Sequence, residues 1–164
     1  MELKQMLLVE FDREVARTRK MLERLPDEKC EYKPHEKSMS FVKLANHTAD
    51  IPAHVTRILA YTDVDMAQPR EPSVPPANGE ERVKHFDALA AAARANLAAA
   101  SDEALDERFT LRAGDRIIFS DPRYLVIRTL FFNHMIHHRA QLGMYLRLND
   151  CPVPSIYGPS ADEG

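Results

Sequence analysis

The stretch Asn133-His134-Met135-Ile136-His137-His138-Arg139-Ala140-Gln141-Leu142 places three histidines within five residues of a predicted final helix. That helix is expected from about Pro122 to Asn149. Ser120 or Asp121 would cap it, and Pro122 suits its first turn, where a missing N–H costs nothing. Each residue turns a helix by about 100°, so His134 and His138 differ by about 40°, and His134 and His137 by about 60°. Either pair converges, so the neighbours decide. Val126, Leu130, Leu142 and Tyr145 run with His134 and His138 as an apolar stripe. Asn133, Ala140 and Met144 run with His137 as a boundary. The register therefore predicts an inward pair, His134 and His138, with His137 flanking. A third inward ligand must come from elsewhere in the chain.

Three further amphipathic segments precede this one. Leu3, Leu7, Phe11, Val15, Thr18, Leu22 and Leu25 recur at spacings of three and four, predicting a first helix that Pro26 stops, with charged residues on its other faces. Ser38 or Ser40 would cap a second helix through Leu44, His47, Ile51, Val55, Ile58 and Leu59, bent at Pro52. His47 lies between Leu44 and Ile51 on the apolar line and is expected to point inward. Asp63–Gly79 carries Pro69, Pro72, Pro75 and Pro76 and no strand alternation; it reads as an exposed linker. A third helix follows from about Glu80, with Val83, Phe86, Ala90, Ala93, Leu97 and Ala100 on one face. Its alanine-rich surface reads first as a plain helix face and second as a surface for a second subunit. Arg108–Leu111 and Arg116–Phe119 flank Ala113-Gly114-Asp115, a small hairpin or extended loop that would have to lie on the helices. The proline-rich tail from Cys151 is short enough to fold back over one end. Four long amphipathic segments with little strand predict an all-α fold, a four-helix bundle, as a single domain over residues 1–164.

Bulk properties exclude several classes. The net charge is −3, with basic and acidic residues interleaved, which argues against a nucleic-acid groove. No apolar run is long enough to span a membrane, and no signal-peptide pattern is present, so a cytoplasmic protein is expected. Cys30 and Cys151 fit no metal or redox spacing and read as free thiols.

A single histidine on an apolar face is usually a hydrogen-bonded core residue. Three on two facing helices are different, because each unsatisfied buried polar group costs about 1–3 kcal/mol. A shared divalent cation removes that cost, and three nitrogen ligands with an open position suit Zn²⁺ or Ni²⁺. Met135 stands where a metalloprotease helix needs glutamate. Di-iron chemistry would need more inward carboxylates. Asp50, three residues after His47, reads as an ordinary edge residue, or else as a partner, ligand or base at the site. His54 is two turns beyond His47, about 10 Å along the axis, too far to share the ion. His35 and His85 read as solvated. Tyr157 is a candidate to approach the metal pocket, and Tyr145 reads as core.

Leu44-Ala45-Asn46-His47 after a Pro34-containing loop, His-x3-His-His-Arg-x-Gln in the last helix, and the tail Pro-Ser-Ile-Tyr-Gly-Pro-Ser-Ala-Asp-Glu together resemble the DinB family, within the DinB/YfiT-like metalloenzymes. The resemblance covers nearly the whole chain. It implies an up-down-down-up bundle with a long crossover between the second and third helices, and a homodimer. It also implies a metal triad of His47, His134 and His138, the residues that the register selects, holding Zn²⁺ or Ni²⁺. Some related enzymes use low-molecular-weight thiols. The expected function is thus a metal-dependent enzyme, of hydrolase or thiol S-transferase type, acting on a small molecule. The alternative is a non-catalytic dimeric bundle whose histidines bind metal structurally or not at all. Ala140 departs from the glycine common in the family's His-Arg-Gly-Gln, adding one methyl on a helix face.

Overall fold

Leu7, Phe11, Thr18 and Leu22 form the buried face of α1 (Leu3–Leu22), packed around Phe11. The computed structural model describes residues 2–69 and 74–163; Pro72 of the expected linker lies outside them. The Asp102 carboxylate caps α1 from a distant part of the chain, accepting from Leu3 N–H at 3.1 Å and Lys4 N–H at 2.9 Å. The helix closes at Leu22, before the expected Leu25, which is nevertheless buried. Glu14 corrects the expectation that charged residues fill only the outer faces: it is 4% exposed.

The second predicted helix is two helices, α2 (Phe41–Asp50) and α3 (Ala53–Ala60). Pro52 lacks the N–H that would continue the ladder, and its ring crowds the preceding turn. The expected serine cap is corrected too. Ser40 occupies the capping position, but its hydroxyl makes no capping bond. The first N–H groups are instead taken by loop carbonyls, Phe41 donating to Tyr32 at 2.9 Å and Val42 to Cys30 at 3.0 Å.

The chain is mostly helical rather than all-α, because a three-stranded sheet follows. Strand β1 (Asp63–Asp65) runs parallel to β2 (Arg108–Ala113), which pairs antiparallel with β3 (Arg116–Pro122). The apolar and β-branched content of Phe109-Thr110-Leu111 and Ile117-Ile118-Phe119 suits a pleated, half-buried surface. Gly114 turns the hairpin at φ 59°, where a side chain would be strained. The start of the expected linker becomes a strand for a tertiary reason. Arg112 reaches from β2 to the Asp63 carboxylate at 2.8 Å and to Asp65 at 2.9 Å, and Gly114 N–H donates to Asp65 at 2.9 Å.

Asn78 caps α4 (Gly79–Ala99) by accepting from Glu81 N–H at 2.9 Å. The short α5 (Asp102–Asp106) is capped by Ser101. The last helix is interrupted. Following β3 directly, α6 (Arg123–Ile127) passes through a π-helical stretch, Arg128–Asn133, into α7 (His134–Leu148). Pro122 sits at the helix start as expected, but no side chain caps it. The wider π turn lets adjacent Phe131 and Phe132 both be buried, and Phe131 stacks on Phe11 with ring centroids 4.8 Å apart. Helices α1 and α2 each pack on both α4 and α7, and α3 packs on α4 and α6. Among the described residues no helix is long and apolar enough to cross a membrane.

Candidate metal centre

His47 is carried into the interior by α2, between buried Leu44, Ala45 and Thr48. Asn46, beside it, accepts from Nε of Arg82 on α4 at 2.7 Å. Because Arg82 is 1% exposed, this bond fixes the face that α2 turns to its neighbours. His134 and His138 come from the first turns of α7, immediately after the π-helical stretch. π-helical interruptions of α-helices are frequent at functional sites.

The three rings meet at their Nε2 atoms. His134 Nε2 lies 3.1 Å from that of His47 and 2.8 Å from that of His138. The three candidate ligand atoms all fall within 4.8 Å of one another. Their hydrogen-bonding cannot be satisfied internally. His138 Nδ1 faces Gln141 Oε1 at 2.7 Å, so that nitrogen donates and Nε2 carries a lone pair. His134 Nε2 then faces two nitrogens with at most one proton, while its Nδ1 is buried without a hydrogen bond of normal geometry. The Leu130 carbonyl one turn earlier favours a proton on this ring, against the larger effect of burial.

Electrostatics keep the cluster neutral. Burial pushes His134 down to about 4, helped by the neighbouring His138 and His47. Burial also lowers His47, against the opposing Asp50 charge, and lowers His138, against the Gln141 bond. Three neutral imidazoles with converging lone pairs form a donor set that fits a divalent cation.

Beside the rings opens a pocket of about 440 Å³. His47 and His134 form one end; Ile58, Leu130, Met66 and the hairpin residues Phe109, Leu111 and Phe119 supply apolar walls. His54 and Arg57 of α3 also line it. The His54 ring lies 6.0 Å from that of His134 and stands outside the trio, as expected, although the bend at Pro52 brings it into the same pocket.

A model of the DinB family matches residues 1–164. The chain belongs to the DinB family. Two solved structures are similar to it in fold. A DinB-like protein from Bacillus cereus ATCC 10987 is 21% identical, with a TM-score of 0.68 over 92% of this chain and 95% of that one. A DinB-like protein from Bacillus subtilis is 17% identical, with a TM-score of 0.70 over 93% of this chain and 99% of that one. No curated protein matches.

The remaining sequence candidates of this DinB chain are placed elsewhere. His137 is exposed. Asp50 is engaged by His85 of α4, Oδ1 to Nε2 at 2.7 Å, and bonds none of the three rings. Tyr157 does not line the pocket. It donates to Glu14 at 2.7 Å and bonds Arg139, which is 2% exposed and reaches Glu14 Oε2 at 2.6 Å. Burial alone would raise the Glu14 pKa; the bonds from Tyr157, Arg139 and Arg17 and the Arg139 charge reverse that and lower it. Tyr157 is raised, chiefly by burial. This network ties the tail to α1 and α7. Ala140 is exposed and lines the groove between α7 and the tail, so its extra methyl faces away from the rings. Tyr145 is core, its hydroxyl on the Met39 carbonyl at 3.1 Å, and both cysteines are free.

Residue-pattern reasoning missed Gln141, whose i,i+3 spacing from His138 is the one available signal. It also missed the pocket walls, because docking of the hairpin has no local signature.

Proposed function

We propose that His47, His134 and His138 hold one divalent ion, zinc or nickel, through their Nε2 atoms, and that the protein is a metal-dependent enzyme of hydrolase or thiol S-transferase type. The observation that carries this reading is the convergence of the Nε2 atoms of three neutral, partly or fully buried imidazoles, two of which line an apolar pocket. Such an ion supplies a Lewis acid that activates a water or thiol nucleophile near neutral pH. Gln141 orients the His138 ring toward the ion. The pocket walls bind the substrate and exclude water from the reacting end. His54, which lines the same pocket with its ring 6.0 Å from that of His134, would be placed to take up or return a proton there. The wider reading is a single-domain, cytoplasmic four-helix bundle of up-down-down-up topology that works as a homodimer, with a small-molecule substrate and in some reactions a low-molecular-weight thiol.

The test is turnover of a panel of electrophiles with bacillithiol, glutathione or water as acceptor, before and after chelation, alongside metal analysis of untagged protein. Activity that survives complete metal removal would falsify the enzymatic role of the ion. One observation favours the second reading, a non-catalytic dimeric bundle: among the described residues, no carboxylate is bonded to any of the three rings. A large melting shift on chelation, with no turnover of any electrophile, would support it.

A further inference from the structure

The pairing of β2 with β3 is irregular at one place. Leu111 faces Phe119 and Arg112 faces Ile117, so Ile118 is an extra residue on β3 with no partner opposite it. A bulge of this kind bends its strand and re-aims a side chain that strict alternation would send to the other face. The result is visible at the pocket. Adjacent Ile118 and Phe119, which would otherwise point apart, both line it, together with Leu111 across the ladder and Met66 at the rim. Ile118 is 46% exposed and Met66 51% exposed, so the apolar wall continues to the mouth of the pocket. At about 440 Å³ the space is in the range that encloses a small organic molecule.

We propose that the bulged hairpin selects substrates in which the group meeting the metal carries an alkyl or aryl substituent of several carbons, held by Leu111, Ile118 and Phe119. The inference rests on the metal reading of the three histidines. The hairpin side, Leu111, Ile118 and Phe119, has no polar side chain to offer a hydrated substituent, unlike the α3 side with His54 and Arg57. Each methylene transferred from water to the hairpin surface, by contrast, gains affinity by a nearly constant factor.

Straight-chain hydroxamates, which chelate zinc whatever their tail, read the wall separately from the ion. Their affinities for the zinc-loaded full-length protein, from acetohydroxamate to octanohydroxamate, are measured by calorimetry. The expected result is a Kd that falls by about fourfold per methylene until the pocket is filled. Ile118→Glu should flatten that dependence to less than about twofold per methylene, read as the ratio of each affinity to that of acetohydroxamate in the same variant, with zinc content measured alongside. Met66→Glu, at an exposed rim position, provides the same reading if the strand variant misfolds. If acetohydroxamate binds and the wild-type series is flat, the selection of apolar substituents is overturned and the metal reading stands. If the protein takes up no zinc, the metal reading fails and this inference falls with it.

Discussion

Gln141→Ala separates a metal centre from a histidine-rich core. Gln141 is exposed, so its truncation removes no core packing, and a surface change of this kind is expected to move stability by less than about 0.5 kcal/mol. Among the described residues its bond to the trio is Oε1 to His138 Nδ1 at 2.7 Å, the bond that leaves Nε2 with its lone pair toward the other two rings. Removing such a partner from a ligating histidine typically weakens metal binding about 10- to 100-fold, or about 1.4–2.7 kcal/mol. Water can replace the exposed carbonyl, so the lower end applies, about tenfold. Competition against a chromophoric chelator, with Zn²⁺ and with Ni²⁺, measures this directly. Thermal melting of the metal-free variant should match wild type. Unchanged metal affinity with the variant folded would refute the orienting role of Gln141. A collapse of metal-free stability would show that the glutamine serves the fold rather than the ion.

His47→Ala, His134→Ala and His138→Ala should each abolish stoichiometric metal in untagged protein, while His137→Ala, on the exposed side, should retain it; the reverse result for residues 137 and 138 would break the assigned register. The metal-free protein should lose stability as the pH falls from about 6.5 toward 4. Histidines lowered by burial are protonated in the unfolded chain first, so the unfolded state binds more protons across that window, and above it both states are neutral. Melting curves of metal-free wild type and His134→Gln should diverge there, the variant showing the shallower fall. Glu14→Gln leaves the Arg139 cation buried without its counter-charge. The expected loss is about 3 kcal/mol, the low end for a broken buried pair because the amide oxygen still accepts, or roughly 10 °C in Tm. A shift below about 2 °C in calorimetry would contradict this account of the network.

Much of the site was readable from spacing because helical geometry is local. Four residues advance a helix by little more than one turn, so the inward pairing of His134 with His138 and the exposure of His137 follow from neighbours within the same segment. His47 was legible for the same reason, from Leu44 and Ile51 on either side. Two buried charges were not. Glu14 and Arg139 look like surface residues until each supplies the other's partner across 125 positions of chain. The π-helical stretch was invisible as well, since it follows from the simultaneous burial of Phe131 and Phe132 against other helices.

The sequence by itself determined the amphipathic helices, a bend at Pro52, a hairpin or loop around Gly114 and the three candidate ligands, because propensity, periodicity and ring chemistry act over a few residues. Tertiary structure alone decided the partners: Asp102 on the start of α1, Arg112 drawing Asp63–Asp65 into a sheet, Glu14 on Arg139, and a bulged hairpin walling the pocket beside the rings. Those choices depend on which segments meet in space, and long-range contacts leave little trace in any one segment's pattern. The helices therefore announced where a metal could be held, and the packing of the sheet upon them set what could be bound beside it.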